Sequence, residues 1–295
     1  AIELGDAKIT VGGGSENMSN VPYFLEDLRW GKRMGDIVLK DIMVVSCPYT
    51  GEPRAKQAGD VALELGISRE MQDEWAYRSQ MYYQEAFKAG KFKDEIKPYT
   101  VHTKKGDIVI TDDQQPRPDT TLEGLAKLKT VNQSPTVTAG NAPGLNTGAS
   151  ALVLMAESEA KRRGIKPLAT IVAHAQASGH PKYIATIPAF AAKKALDKAG
   201  MTVDQMDVIE INEAFAVMPL ASTIYLGDND PAKVEAIRAK TNINGGAIAI
   251  GHPTGATGGR LVMTMAYELQ PRGGGYGLCT ICGGGGESEA FIIRV

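Results

Sequence analysis

The chain has 295 residues, 43% of them hydrophobic, and a formal net charge of −2. This length allows a large core and more than one domain. Its Lys and Arg residues are scattered, which argues against a nucleic-acid groove or a polybasic membrane patch, and no apolar run approaches the roughly 18 residues of a membrane span. We therefore expect a cytoplasmic protein with no nucleic-acid or membrane partner.

The first residues, AIELGDAKITVGGGSENM, predict the end of a helix, a strand at KITV and a glycine turn. Residues 21–137 are richer in charge and proline and predict an inserted, mostly helical subdomain. Within it, the sequence around residues 67–92 predicts one long helix that begins after Ser68 as N-cap and stops at Gly90.

The remainder of the chain predicts alternating strands and helices. A glycine-rich turn precedes an apolar, helix-like stretch containing ALVLM, and the polar helix ESEAKRRG follows. Strands are predicted at LATIVAHAQA, DVIEIN, YGLCTICG and SEAFIIRV, and helices at IPAFAAKKALDKAG and GRLVMTMAYELQ. This alternation indicates a layered α/β architecture.

Three side chains are candidates for chemistry, each beside backbone that a ligand can approach. Asn212 follows a predicted strand, His252 lies among small residues before a helix, and Cys282 precedes four glycines at a strand end. Taken singly, Asn212 suits an N-cap and Cys282 suits an inert core thiol. Together, an amide, an imidazole and a thiol fit stabilisation of an oxyanion, with a thiolate as base or nucleophile.

The chain resembles the thiolase family, which includes acetyl-CoA acetyltransferases and 3-ketoacyl-CoA thiolases. The matching blocks run in family order over nearly the whole chain, and they include GDAKITVGGGSENMS, AKQAGDVALELGISREMQDEWAYRSQ, GKFKDEI, TVTAGNAPGLNTGAS, RRGIKPLATIV, NEAFA, NGGAIAIGHPTGATGGR and CTICGGGG. The resemblance implies a five-layer αβαβα fold of two similar halves. Residues 1–20 and 138–165 would form an incomplete N-terminal half, 21–137 the inserted loop subdomain, and 166–295 the C-terminal half.

The resemblance also implies roles for the candidate residues. Cys282 would take a proton from the α-carbon of an acyl-CoA in synthesis and return one in thiolysis. His252 would donate to the developing oxyanion and keep a nucleophilic thiol ionised, Asn212 would hold a water facing the enolate oxygen, and Phe215 would wall the pocket. As a base, Cys282 is expected to have a lowered pKa, provided by polar partners and nearby N–H groups.

Further positions are predicted to contact acyl-CoA. Arg117 matches an arginine near the nucleotide end, Ile184 lies in a stretch that lines the pocket in relatives, and Gly284 belongs to the glycine run after Cys282. Arg54 stands where many relatives have methionine. Its side chain either contacts a CoA phosphate or a polar acyl group, or faces solvent. Coenzyme A thioesters are the expected substrates, without a metal or redox cofactor.

The family's acyl-carrying cysteine precedes the counterpart of GDAKITV, upstream of Ala1. Cys47, in VVSCPYTGEPR, lacks the surroundings of that residue and is predicted to be structural or incidental. A truncated longer chain, a companion N-terminal fragment carrying the nucleophile, and a true loss of the chemistry stay open as explanations.

Two classes of function follow from these observations. The first is a reversible acyltransferase that performs Claisen condensation and thiolysis of acetoacetyl-CoA or 3-ketoacyl-CoA. The alternative is an acyl-CoA- or lipid-binding protein, or an assembly subunit, without turnover. A homo-oligomer, dimer or tetramer, is expected because relatives form both and LRWGKRMGD lies where the tetramer-forming loop is found.

Overall fold

The structure is a computed structural model that describes residues 1–44 and 46–295. Its strands are β1 (Ile9–Asn17), β2 (Tyr23–Phe24), β3 (Lys40–Asp41), β4 (Tyr99–Thr103), β5 (Gly106–Ile110), β6 (Thr147–Met155), β7 (Thr170–Ser178), β8 (Val208–Ile211), β9 (Tyr276–Cys282) and β10 (Glu287–Arg294). Its helices are α1 (Arg54–Glu64), α2 (Arg69–Lys88), α3 (Leu122–Ala126), α4 (Glu157–Arg163), α5 (Ile187–Ala199), α6 (Val217–Leu226), α7 (Pro231–Ala239), α8 (Ala247–Ile250) and α9 (Thr254–Leu269).

The central sheet has four strands in the order β7-β10-β9-β8. β8 pairs with β9 in parallel, whereas β10 runs antiparallel to both β9 and β7. Residues of β9 alternate between the two faces of the sheet: Leu278 joins the core cluster that contains α5, and Cys279 joins the cluster that contains α9.

Helix α9 lies between the central sheet and a second sheet made of β1 and β6, because it packs against β1 and β6 as well as β8, β9 and β10. Helix α5 covers the opposite face of the central sheet and contacts α6. Sheet, helix, sheet and helices thus form four successive layers in the described part of the chain. The predicted α/β fold of thiolase-like layers is confirmed.

Residues 18–146 connect the two strands of the outer sheet. β1 ends at Asn17, opposite Thr147, the first residue of its antiparallel partner β6. The connection contains α1, α2, α3 and the hairpins β2–β3 and β4–β5. The inserted position agrees with this topology, whereas the segment is helical only in part, because hairpins and irregular stretches make up the rest of its described residues. The domain boundaries at 20, 137 and 165 stay a prediction.

Helix α2 forms where the local signals predict it. The Ser68 hydroxyl accepts a hydrogen bond from the Met71 N–H at 3.2 Å, and Gly90 takes a positive φ of 72° just beyond the helix. The aromatic side chains of α2 differ in exposure, because Trp75 is buried whereas Phe87 is exposed. Polar residues share the buried face instead, including Gln72, Asp73, Ser79 and Gln80.

Two stretches adopt a different structure from the predicted one. The glycines of GGGSEN continue strand β1 instead of forming a turn, and the helix-like ALVLM stretch is part of strand β6. The two strands pair with each other over nine residues. The apolar run ALVLM has no periodicity that separates helix from strand, and glycines fit a turn or a strand. The pairing of β1 with β6 therefore decided both cases.

The glycines of β1 let the backbone of α9 approach the strand directly. A Cβ at Gly14 would overlap with the carbonyl oxygen of Gly255, and a Cβ at Gly255 would overlap with the carbonyl oxygen of Ser15. These contacts fix the N-terminal turn of α9, which directly follows His252, against the outer sheet.

We expect Gly255→Ala to lower the free energy of unfolding by about 2–3 kcal/mol, because backbone must move to admit the methyl group. The matched control is Gly258→Ala in the same helix, where a Cβ would meet no atom within 4 Å. Alanine there should be neutral or stabilise by up to about 1 kcal/mol. Chemical denaturation of both variants measures the difference, and equal stabilities would contradict the close approach.

Candidate functional site

Asn212 and Cys282 lie at the same edge of the central sheet. Asn212 directly follows β8, and Cys282 is the last residue of the neighbouring parallel strand β9. The Asn212 N–H donates to the Thr280 carbonyl oxygen at 3.1 Å and extends the pairing of the two strands. The carboxyl ends of parallel strands are where α/β sheets carry their sites, so the sheet brings this amide and this thiol together.

His252 joins the site from the loop between α8 and α9. Its Nε2 lies 3.2 Å from Nδ2 of Asn212, and its Nδ1 lies 2.8 Å from the Thr257 hydroxyl. That hydroxyl donates to the Pro253 carbonyl oxygen at 3.0 Å and therefore accepts from Nδ1–H. In the neutral ring this bond leaves the lone pair on Nε2, which faces Asn212.

The imidazole of His252 is neutral at physiological pH. Burial, together with the smaller effect of the positive charge of Arg260, lowers its pKa to about 4. Asn146 fixes the backbone at this position, since its side-chain oxygen accepts from the His252 N–H at 2.8 Å. Asn146, Thr257 and Asn212 thus hold the ring in one orientation.

Asn212 carries an unsatisfied acceptor in this site. Its side chain is buried, and Oδ1 has no hydrogen-bond partner among the described residues. A buried polar atom of this kind normally binds a water or a ligand. The position therefore fits the predicted role of holding a water, which stays a prediction.

The predicted lowering of the Cys282 pKa is wrong. Burial raises the pKa of this thiol to about 12, and the negative charge of Glu287 acts in the same direction. The backbone N–H of Cys282 and the positive charge of Arg54 favour the thiolate, but the effect of burial is larger. Desolvation dominates because the strand end packs against the core cluster of α1 and α6, so the thiol is protonated at rest.

The other predicted contact residues are placed as follows. Phe215 packs against the same core cluster as Cys282. Arg54 is the first residue of α1, and its Nη2 is 3.8 Å from the position that a Cβ on Gly284 would take. Ile184 is buried between α5 and the preceding turn, which packs against Gly286.

Arg117 lies in the segment between β5 and α3. Its side chain is exposed, and its backbone N–H donates to the side-chain oxygen of Gln80 at 2.9 Å. Two residues earlier, Gln115 accepts from Nδ2 of Asn146, the residue that also holds the backbone of His252. The segment is thus tied to the site, and a contact of Arg117 with CoA stays a prediction.

Cys47 is buried near Arg54. Burial raises the pKa of its thiol, but the Thr50 hydroxyl, the backbone N–H groups of Tyr49 and Thr50, and the charge of Arg54 together lower it to about 7. Its predicted structural or incidental role is unchanged by these contacts and stays a prediction.

The described residues contain neither a gathering of three or more His, Cys, Asp and Glu side chains suited to a metal ion nor a helix with the length and apolar character to cross a bilayer.

Glu213, the buried carboxylate beside Asn212, was noted at the strand end but given no role from the sequence. Glu213 is fully buried and accepts four hydrogen bonds of 2.8–3.0 Å. The donors come from α2 and from the segment before His252, and they are Trp75 Nε1, Ser79 Oγ, Asn242 Nδ2 and the Ile248 N–H. The adjacent residues NE in NEAFA were the available signal, but the donors are distant in sequence.

We expect Glu213→Ala to lower the free energy of unfolding by about 2–4 kcal/mol, because the substitution leaves several buried donors without an acceptor. Glu235→Ala on the exposed face of α7 is the matched control and should change stability by less than about 0.5 kcal/mol. Urea denaturation measures both. A Glu213→Ala protein as stable as the control would show that the network contributes little.

Layered sheets and helices, with an amide, an imidazole and a thiol at one sheet edge, are the arrangement of an α/β enzyme with groups suited to an oxyanion. The model of the thiolase N-terminal domain matches residues 1–158, and that of the thiolase C-terminal domain matches residues 165–295. The chain belongs to the thiolase family and is an acyltransferase of that type.

Relatives of known sequence and structure agree with this family. The acetyl-CoA acetyltransferase of Syntrophomonas wolfei is 43% identical over 301 residues, which span 99% of this chain and 74% of the relative. The crystal structure of the Bacillus anthracis acetyl-CoA acetyltransferase has a TM-score of 0.92 at 39% identity, covering 99% of this chain and 73% of that one. Human mitochondrial 3-ketoacyl-CoA thiolase in complex with CoA has a TM-score of 0.89 at 38% identity, covering 99% and 72%.

Proposed function

We propose that this protein catalyses the reversible condensation and thiolysis of acetoacetyl-CoA or 3-ketoacyl-CoA. The observation that carries the proposal is the pairing of Asn212 with His252 at the strand edge where Cys282 ends the neighbouring strand. The names of the relatives, acetyl-CoA acetyltransferase and 3-ketoacyl-CoA thiolase, support the same pair of reactions. Coenzyme A thioesters are then the substrates on both sides of the reaction.

In this proposal Cys282 moves the proton of the α-carbon. In thiolysis the acyl-accepting thiol, once deprotonated, bonds to the β-carbonyl carbon, and the bond between the α- and β-carbons breaks, with its electron pair leaving as the enolate of acetyl-CoA. The acyl group then passes from that thiol to the thiol of a free CoA. The protonated Cys282 thiol, whose pKa burial raises to about 12, then donates its proton to that α-carbon. In condensation the thiolate takes the same proton back, so binding of the thioester must favour the ionised form.

Asn212 and His252 stabilise the enolate oxygen. A water held by the unsatisfied Oδ1 of Asn212 directs its second hydrogen to that oxygen. The neutral His252 ring has its lone pair on Nε2, where it accepts the proton of the acyl-accepting thiol. The resulting imidazolium carries Nε2–H, a second donor for the oxyanion, and such preorganised donors stabilise developing charge.

The acyl-accepting thiol itself belongs, by the resemblance, to a segment that precedes the sequence GDAKITV. We propose that this thiol is supplied by a longer form of the chain or by a companion fragment. Intact-mass measurement of all polypeptides in freshly purified material tests this point. A second species with a cysteine, or a longer chain, is the expected result, and a single species of 31.4 kDa would refute it.

The decisive experiment for the function is exchange of the α-protons of acetyl-CoA in deuterated water, followed by NMR, beside an acetoacetyl-CoA thiolysis assay. The expected result is protein-dependent exchange and cleavage. Binding of acetyl-CoA without either reaction would instead establish the alternative, an acyl-CoA-binding protein or assembly subunit. The exchange assay is informative for the purified protein whether or not the acyl-accepting thiol is present.

We further propose a cytoplasmic homo-oligomer, a dimer or a tetramer. Apolar side chains are exposed in the segment from residue 25 to 44, among them Trp30 at 93% and Met34 at 83%. Exposed apolar side chains gathered in one segment support a protein contact there. Light scattering of the purified protein measures the number of subunits.

A further inference from the structure

The guanidinium of Arg54 lies beside the glycine run that follows Cys282. Its Nη2 is 3.8 Å from the position of a Cβ on Gly284, and its charge acts on the Cys282 thiol, favouring the thiolate against burial. A cation is therefore held next to the group that exchanges the α-proton.

The side chain of Arg54 is oriented by a buried partner. Its Nη1 donates to Oε1 of Gln57 at 3.1 Å, and Gln57 is fully buried, with its Nε2 donating to the Thr50 hydroxyl at 2.6 Å. This arrangement fixes one side of the guanidinium and leaves the side with Nη2 over the glycines. A planar guanidinium held in this way suits bidentate binding of a carboxylate.

No carboxylate among the described residues lies within ion-pair distance of Arg54. The ion pairs among the described residues do not include Arg54, and the nearby Glu287 carboxylate lies over Gly283 and Gly285. The Cys47 thiol, with a pKa of about 7, is the other group that its charge acts upon, and this thiol is only partly ionised near neutral pH. An anionic group of a ligand can therefore form the ion pair that Arg54 does not make within the protein.

The phosphates of CoA are an unsuitable complement at this place. The thioester carbon must lie at Cys282 for the α-proton to be exchanged, and the whole pantetheine arm separates this carbon from the phosphates. An anion that reaches Arg54 beside Cys282 therefore belongs to the acyl group. A carboxylate at the far end of that group has the matching charge and shape.

We propose that Arg54 is a specificity-determining residue that selects acyl-CoA substrates whose acyl group ends in a carboxylate. This inference rests on the proposed function, since it concerns the acyl group of the same reaction. The preferred substrates are then 3-oxo-dicarboxylic acyl-CoA esters in cleavage and ω-carboxyacyl-CoA esters in condensation.

The test compares pairs of thioesters that differ only at the end of the acyl chain. Binding of succinyl-CoA and butyryl-CoA is measured by calorimetry, and thiolysis of 3-oxoadipyl-CoA and 3-oxohexanoyl-CoA is measured by kcat/KM. We expect the parent protein to prefer the carboxylate member about 10- to 100-fold, the range of a hydrogen-bonded charge pair. Arg54→Gln should remove the preference, and Arg54→Lys should retain part of it.

Arg294→Gln is the matched control, with the same loss of charge. Arg294 pairs with Tyr276, at the end of β9 opposite to Cys282, so its substitution should leave the preference unchanged. Equal binding of both thioesters by the parent, or a preference that persists in Arg54→Gln, overturns the inference. Acetoacetyl-CoA turnover in the same preparation tests the proposed function separately, because this substrate has no terminal carboxylate and its cleavage does not require recognition by Arg54.

Discussion

His252→Ala is expected to lower kcat for acetoacetyl-CoA thiolysis by about 10²–10³-fold, the usual loss when one oxyanion donor is removed. Of the two proposed donors, the imidazole and the water held by Asn212, the imidazole also changes its protonation state, because its Nε2 accepts a proton while Nδ1–H stays bonded to Thr257. Steady-state kinetics on the purified variant measures the loss. Acetyl-CoA binding should persist, since the ring supports the reacting oxygen and not the CoA moiety.

His102→Ala is the control for this prediction. His102 lies on the β4–β5 hairpin with its side chain 80% exposed, so its removal should leave kcat unaffected. A second variant, Thr257→Val, keeps the ring but removes the acceptor for Nδ1–H, and we expect a smaller loss of kcat than for His252→Ala. A His252→Ala protein as active as the parent would refute the proposed role of the imidazole.

Cys282→Ala is expected to lower both thiolysis and α-proton exchange by about 10²–10⁴-fold, the range of a positioned general acid or base. The thiol is protonated at rest and ends the strand β9 beside Asn212, where it is the proposed donor and acceptor of the α-proton. Binding of acetyl-CoA should survive the substitution. Exchange measured by NMR and cleavage measured by absorbance should fall together.

The matched control is Cys279→Ala in the same strand. Cys279 faces the opposite side of the sheet and packs against α9, so its substitution affects stability and not proton transfer. Burial raises its pKa to about 12 as well, so the pKa alone does not distinguish the two thiols. If Cys282→Ala retained α-proton exchange at the parental rate, the assignment of Cys282 as the proton-exchanging group would be wrong.

Local signals were sufficient for most elements of the C-terminal part of the chain. Predicted strands and helices from β7 to β10 are present, because their periodicity, caps and glycine stops are read within about ten residues. The same signals placed Asn212 and Cys282 at strand ends. The predicted strand ends therefore indicated that Asn212 and Cys282 lie at the same edge of the sheet.

Long-range contacts decided the elements that were predicted wrongly. The glycines of β1 look like a turn in isolation, but they form a strand whose close contact with α9 at Gly255 leaves no room for side chains. The polar side chains on the buried face of α2 look exposed by composition. One of them, Ser79, is buried because Glu213, 134 residues later, needs its hydrogen bond.

The electrostatic state of the site also depended on tertiary packing. From sequence, Cys282 was expected to have a lowered pKa, whereas the packed strand end desolvates the thiol and raises it. Asn146 and Thr257, which orient His252, were not identified from sequence because a short polar residue in a glycine-rich segment carries no distinctive pattern.

The sequence by itself determined the family, most of the elements and the candidate residues Asn212, His252 and Cys282, because local motifs and their spacing are sufficient to recognise each of these. The tertiary structure decided which groups meet, which protons they hold and which charges form ion pairs. Those properties arise from burial and from contacts between residues far apart in the chain, as between Asn212 and His252 or between Arg54 and Gly284.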